Sequence, residues 1–370
     1  MTPISTHHII GIRIWLFTLL TGLGFASPQH LEASTFIKAT DPGFAYTGRI
    51  SWNTKAGAAV WTYPGVQIHA VFEGTSVSMK TNSDCGYFMV EIDDQAPYKI
   101  EVLKNVETTR ISRNLSEGTH RLTLTYIIEG MYKKPTFYGL YLDDNCKLGE
   151  RPILPERRIE FIGNSITCGY GIEGNGTEKK FLFSKQNYYY TYAAITGRNL
   201  KAQCQVCARS GIGMYRNYAG KIPDEIMPNI YPQTFYETKG ELWDFSRFQA
   251  DVVCVNLGCN DTSVGSYDLE RLTEGFKQFT RTLRNYYPQA KIVYIIGAIP
   301  KSKRLDDIRT AQLAAIEDAA SRGDKEVYRM DFTPDDGSLG WGSQGHPSMR
   351  RQALMGEELT NYLRSITGWD

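Results

Sequence analysis

The sequence predicts two structural classes in series: a jelly-roll-like β-sandwich, then a flavodoxin-like α/β domain built on a parallel sheet. Three observations carry this. Up to about residue 150, apolar and polar residues alternate in short runs separated by turn residues. A Pro-marked segment, Gly149-Glu150-Arg151-Pro152-Ile153-Leu154-Pro155, then breaks the pattern. Beyond it, apolar runs alternate with stretches of helical spacing, as a buried parallel sheet with crossover helices requires. A chain of 370 residues is also longer than one ordinary domain needs.

In the first half, Val66 to Phe72 alternates, and Glu73-Gly74-Thr75 turns it into Ser76 to Met79. Tyr87 to Asp93 is a strand closed by the turn Asp94-Gln95-Ala96-Pro97. Glu117-Gly118-Thr119 leads into a strand over 120–127, and Phe137 to Asp143 ends the series. Strands this short, at turn-punctuated intervals, are those of a sandwich. We set this domain at 35–148.

The second domain, 156–370, opens with a strand from Arg158 to Gly163 running into a tight turn. A helix over 190–200 and a strand over 204–208 follow. The run Ala250 to Gly258 is nearly all apolar, as a strand buried on both faces must be. Leu269, Leu272, Phe276, Phe279, Leu283 and Tyr286 then recur at helical spacing. A strand over 291–297, a helix over 309–322, a strand over 327–332 and a helix over 347–366 complete the alternation.

Ahead of both domains, Ile9 to Leu20 is an apolar run ending in Gly22-Leu23-Gly24-Phe25-Ala26-Ser27. It is too short and interrupted to span a membrane, and its small residues suit a cleavage site. Residues 1–26 are therefore read as a signal peptide, and the mature chain as secreted or periplasmic, with no membrane contact after cleavage. Charge narrows the partners further. With 41 basic and 40 acidic residues the net charge is +1, which leaves no basic footprint for nucleic acid.

Seven cysteines, an odd number in an exported chain, leave at least one thiol free. Cys204-Gln205-Val206-Cys207 has the spacing of a metal half-site. It lies on a predicted strand, however, where residues three apart face opposite ways, so both are read as buried structural cysteines. Nothing in the sequence calls for a metal or other cofactor.

The chemistry-bearing residues fall on the loops that follow strands. After the first strand of the second domain comes Gly163-Asn164-Ser165-Ile166-Thr167. A serine on a strand-to-helix turn exposes its hydroxyl beside helix N–H groups. After the next strand, Ser210-Gly211-Ile212-Gly213 offers an unobstructed backbone N–H at Gly211. After the third, Gly258-Cys259-Asn260-Asp261 offers the Asn260 side-chain amide as a donor. Before the last helix stands His346-Pro347, the only histidine in the α/β part.

A serine, a glycine, an asparagine and a His-Pro in this order resemble the SGNH hydrolase superfamily over roughly residues 158–366. With a sandwich in front, the chain resembles carbohydrate esterase family 2 more narrowly. The resemblance implies an O-acetyl esterase acting on an acetylated polysaccharide or oligosaccharide of the xylan or mannan type. It implies Ser165 as nucleophile, His346 as base, and an oxyanion hole formed by Ser165, Gly211 and Asn260. An esterase for sialate O-acetyl or small acyl esters, or a non-catalytic carbohydrate-binding relative, are the alternatives.

One position departs from the superfamily pattern. The acidic residue expected two or three places before the histidine is replaced by Ser343 and Gln344. A backbone carbonyl or the Gln344 amide then orients His346 in a Ser–His dyad, or Asp335 or Asp336 reaches back to it. Trp341 and Tyr188 are the candidate sugar-contacting residues.

Overall fold

In the computed structural model, which describes residues 34–130, 134–299 and 301–370, two antiparallel sheets precede a parallel one. The stretch read as a signal peptide lies outside the described residues. The antiparallel strands are β1 (Ser34–Lys38), β2 (Ala45–Thr47), β3 (Ser51–Asn53), β4 (Ala58–Val60), β5 (Gln67–Glu73), β6 (Val77–Thr81), β7 (Gly86–Ile92), β8 (Tyr98–Val102), β9 (Thr108–Ser112), β10 (Thr119–Tyr126) and β11 (Thr136–Asp143). One sheet runs β3-β4-β11-β6-β9 with β1 also on β11, and the other runs β2-β5-β10-β7-β8.

The alternation read from the sequence is the sandwich's inside and outside. Ile68, Ala70 and Phe72 of β5 are buried while their neighbours are partly open. Of the strands the pattern did not reveal, β2, β3 and β4 are three residues long, too short for a period of two to show.

The parallel sheet comprises β12 (Arg158–Gly163), β13 (Gln203–Ala208), β14 (Val252–Asn256), β15 (Lys291–Ile296) and β16 (Val327–Asp331), in the order β13-β12-β14-β15-β16. Every residue of β14 is buried, which explains its nearly unbroken apolar run. The helices are α1 (Ser165–Cys168), α2 (Tyr192–Asn199), α3 (Met227–Ile230), α4 (Leu269–Tyr286), α5 (Lys303–Ser321) and α6 (Met349–Thr367). In this order the chain reverses direction across the sheet between β12 and β14. Loops at the carboxyl ends of those two strands part there and leave a crevice.

Helix starts differ from the expected ones for local reasons. Thr191 caps α2 by accepting the N–H of Ala194, so Tyr188–Tyr190 forms a separate 3-10 turn. Helix α5 begins at Lys303 instead of Arg309, because its first turn is mostly charged and hides the buried Leu305 and Ile308. Ser348 caps α6, leaving Pro347 outside the helix.

Sandwich and parallel sheet are not separate bodies joined by the Pro-marked segment. Ala33–Asp370 is one compact unit. A single apolar cluster runs from Trp61, Phe88 and Tyr126 of the sandwich to Phe161, Tyr188, Tyr192 and Val206 of the α/β part. Arg49, between β2 and β3, is fully buried and donates to Glu160 on β12 at 3.0 Å and to the Gln233 carbonyl at 3.0 Å. Its guanidinium also lies 4.7 Å from the Tyr231 ring centre. A buried arginine is tolerable only with partners of this kind.

Candidate active site

The turn after β12 is built by Asn164. Its side-chain oxygen caps α1 by accepting the N–H of Ile166 at 3.0 Å, and its amide donates to the Asn256 carbonyl at 3.1 Å. Asn164 thus fixes Ser165 at the first position of α1 and ties that turn to the end of β14. Ser165 keeps 9% of its surface open. Gln352 of α6 donates to the Ile166 carbonyl at 2.9 Å and accepts the Tyr192 N–H at 2.8 Å, which moors α1 to α6 and α2.

His346 comes to this turn from across the sheet. Its Nε2 lies 2.9 Å from Ser165 Oγ, and its Nδ1 lies 3.2 Å from the Ser343 carbonyl oxygen. A carbonyl only accepts, so Nδ1 carries the proton and Nε2 is left to accept from the serine hydroxyl. Burial pushes the imidazole pKa below its ordinary value, against the opposing effect of backbone hydrogen bonds at Ser343 and Gln344. The ring is neutral near pH 7.

Of the four residues considered for orienting His346, Ser343 reaches it, through its main chain. Gln344 turns its side chain away, donating to the Lys179 carbonyl at 2.9 Å and accepting from the Tyr170 hydroxyl. Asp335 accepts from Gly337 N–H at 3.0 Å and Asp336 from Ser338 N–H at 2.9 Å. These are local turn contacts, not contacts with the imidazole. Two left-handed residues, Gln344 at φ 54° and Gly345 at φ 71°, curl the loop so that the Ser343 carbonyl also accepts the His346 N–H at 3.2 Å.

Two supports of this loop were not visible in the sequence. Ser343 N–H donates to the Gly171 carbonyl at 2.8 Å. Gly171 has φ +62°, and a side chain there would place its Cβ 2.7 Å from Ser343 Cβ and 3.0 Å from Ser343 O. The Tyr170 ring lies against the imidazole, with centres 4.4 Å apart at 34°, and stacks on Phe181 on its other flank. A glycine and an aromatic just after a short helix carry no distinctive spacing.

The two remaining candidates, Gly211 and Asn260, lie on the loops after β13 and β14. Gly211 has φ +78°, and the nearest atom to a Cβ built there is Tyr218 Cβ at 3.7 Å, so the space where a side chain would stand is nearly open. Asn260 donates one amide hydrogen to the Ile212 carbonyl at 2.7 Å, which leaves its second available. Next to it, Asp261 gathers the N–H groups of Met214 at 2.9 Å, Tyr215 at 2.8 Å and Arg216 at 3.2 Å. That carboxylate clamps the 211–216 loop to the Asn260 loop. In sequence Asp261 is one residue of the Gly258-Cys259-Asn260-Asp261 motif, with no spacing that marks a clamp.

Trp341 stands at the rim of the His346 loop, half-buried, its backbone bridged to Pro347. Tyr188 is a correction. It is 3% exposed and packs on Gly65 and Val206, in a pocket shared with Pro155, Lys201 and Cys204. Those residues lie at the amino ends of the strands, across the sheet from Ser165. Tyr188, read from the sequence as a sugar contact, is interdomain core instead.

Cys146, Cys168, Cys204, Cys207, Cys254 and Cys259 are free thiols. Cys204 packs against α2 and Cys207 against Met227, on opposite faces of β13. No group of three or more metal-ligating side chains occurs among the described residues. Among the same residues, no helix is long and apolar enough to cross a membrane.

Residues 46–152 match the family model described as carbohydrate esterase 2 N-terminal, and residues 161–354 match that of the GDSL-like lipase/acylhydrolase family. The chain is 34% identical over 330 residues to the cellulase/esterase CelE of Acetivibrio thermocellus, an alignment that covers 89% of this chain and 40% of CelE. The chain therefore spans less than half of that relative's length. It is 30% identical over 359 residues to an acetylxylan esterase / glucomannan deacetylase of Cellvibrio japonicus, covering 95% of this chain and 98% of the relative. Among solved structures, a family two carbohydrate esterase from Clostridium thermocellum in complex with cellohexaose superposes with a TM-score of 0.82 at 33% identity, covering 89% and 100% of the two chains. A family two carbohydrate esterase from Cellvibrio japonicus gives a TM-score of 0.82 at 27% identity, covering 91% and 99%. On fold and sequence together, the chain belongs to carbohydrate esterase family 2 and is a carboxylic ester hydrolase.

Proposed function

We propose that this chain removes acetyl groups from plant polysaccharides of the xylan or glucomannan type, using Ser165 and His346 as a catalytic dyad. The observation that carries the reading is the 2.9 Å contact between His346 Nε2 and Ser165 Oγ, with the imidazole tautomer set by the Ser343 carbonyl. Ser165 Oγ attacks the acetyl carbonyl as His346 Nε2 takes its proton. The resulting oxyanion meets the N–H groups of Ser165 and Gly211 and the Asn260 amide. Collapse expels the sugar hydroxyl, protonated by His346, and leaves acetyl on Ser165. Water, deprotonated by the same histidine, then releases acetate.

The substrate class rests on the acetylxylan esterase / glucomannan deacetylase relative, which this chain matches over 95% of its own length and 98% of the relative's. Trp341, at the rim of the His346 loop, is the proposed sugar platform. Residues 1–26 are proposed to direct export and to be removed, which N-terminal sequencing of the secreted protein would check. The catalytic assignment is tested with 4-nitrophenyl acetate. Ser165→Ala and His346→Ala should each lower kcat by about 10³-fold or more, by analogy with other serine hydrolases. Full activity in Ser165→Ala would sink the nucleophile assignment. Acetate release from acetylated xylan and acetylated glucomannan then ranks the two substrates.

A further inference from the structure

Behind the site lies a carboxylate that none of the chemistry above uses. Glu129 follows β10 and so belongs to the sandwich, yet it is buried to 3% exposure against the catalytic loops. Its Oε1 accepts the Ser210 N–H at 2.7 Å and its Oε2 accepts the Ser210 hydroxyl at 2.5 Å. Gln186 donates to Oε2 at 3.2 Å and, with the same amide nitrogen, to the Cys168 carbonyl at 3.2 Å. Cys168 is the last residue of α1, the helix that opens with Ser165.

A carboxylate is a costly way to seal an interface, since desolvation penalises its charge unless hydrogen bonds replace water. Burial does raise the Glu129 pKa, with the Ser210 and Gln186 bonds and the nearby Arg209 charge working the other way. An apolar side chain would fill the same space without that penalty. What an apolar side chain lacks is aim. Both oxygens are committed to Ser210, the residue immediately before Gly211, and the third bond leads to the helix of Ser165.

Gly211, at φ +78°, has no side chain to hold it. The direction of its N–H is set by the residues on either side. Downstream, Asn260 and Asp261 hold Ile212 and Met214. Upstream, the hold is Glu129. We propose that Glu129 is a positioning residue for ester hydrolysis: by gripping Ser210 twice, it aims the Gly211 N–H at the oxyanion, so that the sandwich completes the catalytic site. This rests on the reading of Ser165, Gly211 and Asn260 given above.

The test is the kinetics of the full chain with 4-nitrophenyl acetate. Glu129→Gln keeps the shape but puts an amide N–H₂ where Oε2 accepts from Ser210 and Gln186. Ser210→Ala removes one of the two grips. Loss of one oxyanion donor costs about 10²–10³ in rate, so a misaimed donor should cost about 10–100-fold. We expect kcat to fall by that much in Glu129→Gln and by about threefold to tenfold in Ser210→Ala, with KM within about twofold. The double variant should be no worse than Glu129→Gln alone, because both act through one contact.

Arg247→Ala serves as the control for a merely structural role. It removes the 2.9 Å bond to the Ile50 carbonyl, an interdomain contact ahead of β14 at the amino end of the sheet. It should lower Tm and leave kcat unchanged. The proposal is overturned if Glu129→Gln keeps kcat within twofold of wild type while Ser165→Ala and Asn260→Ala are impaired. If Glu129→Gln does not fold, an unchanged kcat in Ser210→Ala overturns it instead. Full activity in Ser165→Ala and Asn260→Ala would reject the underlying oxyanion-hole reading itself.

Discussion

The Nδ1 atom of His346 sits 3.2 Å from the carbonyl oxygen of Ser343, three residues upstream in the same loop. A peptide carbonyl stands where a serine hydrolase commonly holds a carboxylate. It fixes the tautomer without supplying a full negative charge to the imidazolium formed during attack. Neither nearby aspartate is then needed. Asp335→Asn and Asp336→Ala should each keep kcat within about threefold of wild type, whereas losing the carboxylate of a true triad costs about 10⁴. A loss of hundredfold or more in either variant would mean that a carboxylate reaches the histidine during turnover.

If main chain orients the histidine, whatever presses on that main chain should matter. A methyl group on residue 171 would sit 3.0 Å from Ser343 O, at a backbone φ of +62° that a side chain resists. Gly171→Ala should lower kcat by about tenfold or more while the protein stays folded, as read by steady-state kinetics beside circular dichroism. Unchanged kinetics would remove Gly171 from the histidine's support.

The pH profile follows from the direction of the His346 shift. The imidazole must be neutral to accept the Ser165 proton, and burial lowers its pKa. Neutral base therefore persists as the pH falls through about 6.5, the ordinary histidine value. The acid limb of kcat/KM should lie below that point. A limb centred at or above it would contradict the assignment of His346 as a desolvated base.

Asn260 offers a donor whose other hydrogen is held by the Ile212 carbonyl at 2.7 Å, so its position is fixed before substrate arrives. Asn260→Ala should cost about 10²–10³ in kcat with little change in KM, the pattern of a group used only in the transition state. A rise in KM at constant kcat would recast Asn260 as a substrate-binding group.

How much of this was legible in the sequence depends on how each feature is encoded. Strand β14 is buried along its whole length and its run is nearly all apolar, and the other strands of the parallel sheet could be read from their alternation with helical stretches. Strands β2 to β4 could not, because three residues hold no period. Ser165 and His346 stand out in sequence by the order of the loops that carry them, and the structure brings their side chains within 2.9 Å. The orienting group was left among several side chains because the one in contact, a Ser343 carbonyl, is present at every residue and has no sequence signature. Glu129 was missed for a different reason. It lies in the other domain, and a lone glutamate after a strand looks like any surface charge until folding buries it against Ser210. Tyr188 misled in the reverse direction, since a tyrosine reads the same in sequence on a sugar surface as in a domain interface.

The apolar cluster that runs from Trp61 through Tyr126 to Phe161 and Val206 leaves no plane along which the chain could be cut without exposing core. Sandwich and hydrolase therefore share one cooperative unfolding unit. Heating should give a single calorimetric transition seen alike by every probe, and a fragment beginning at Arg158 should behave as a partly unfolded, aggregation-prone species. For anyone grafting this enzyme onto another scaffold, the transferable piece is the whole span from β1 to α6.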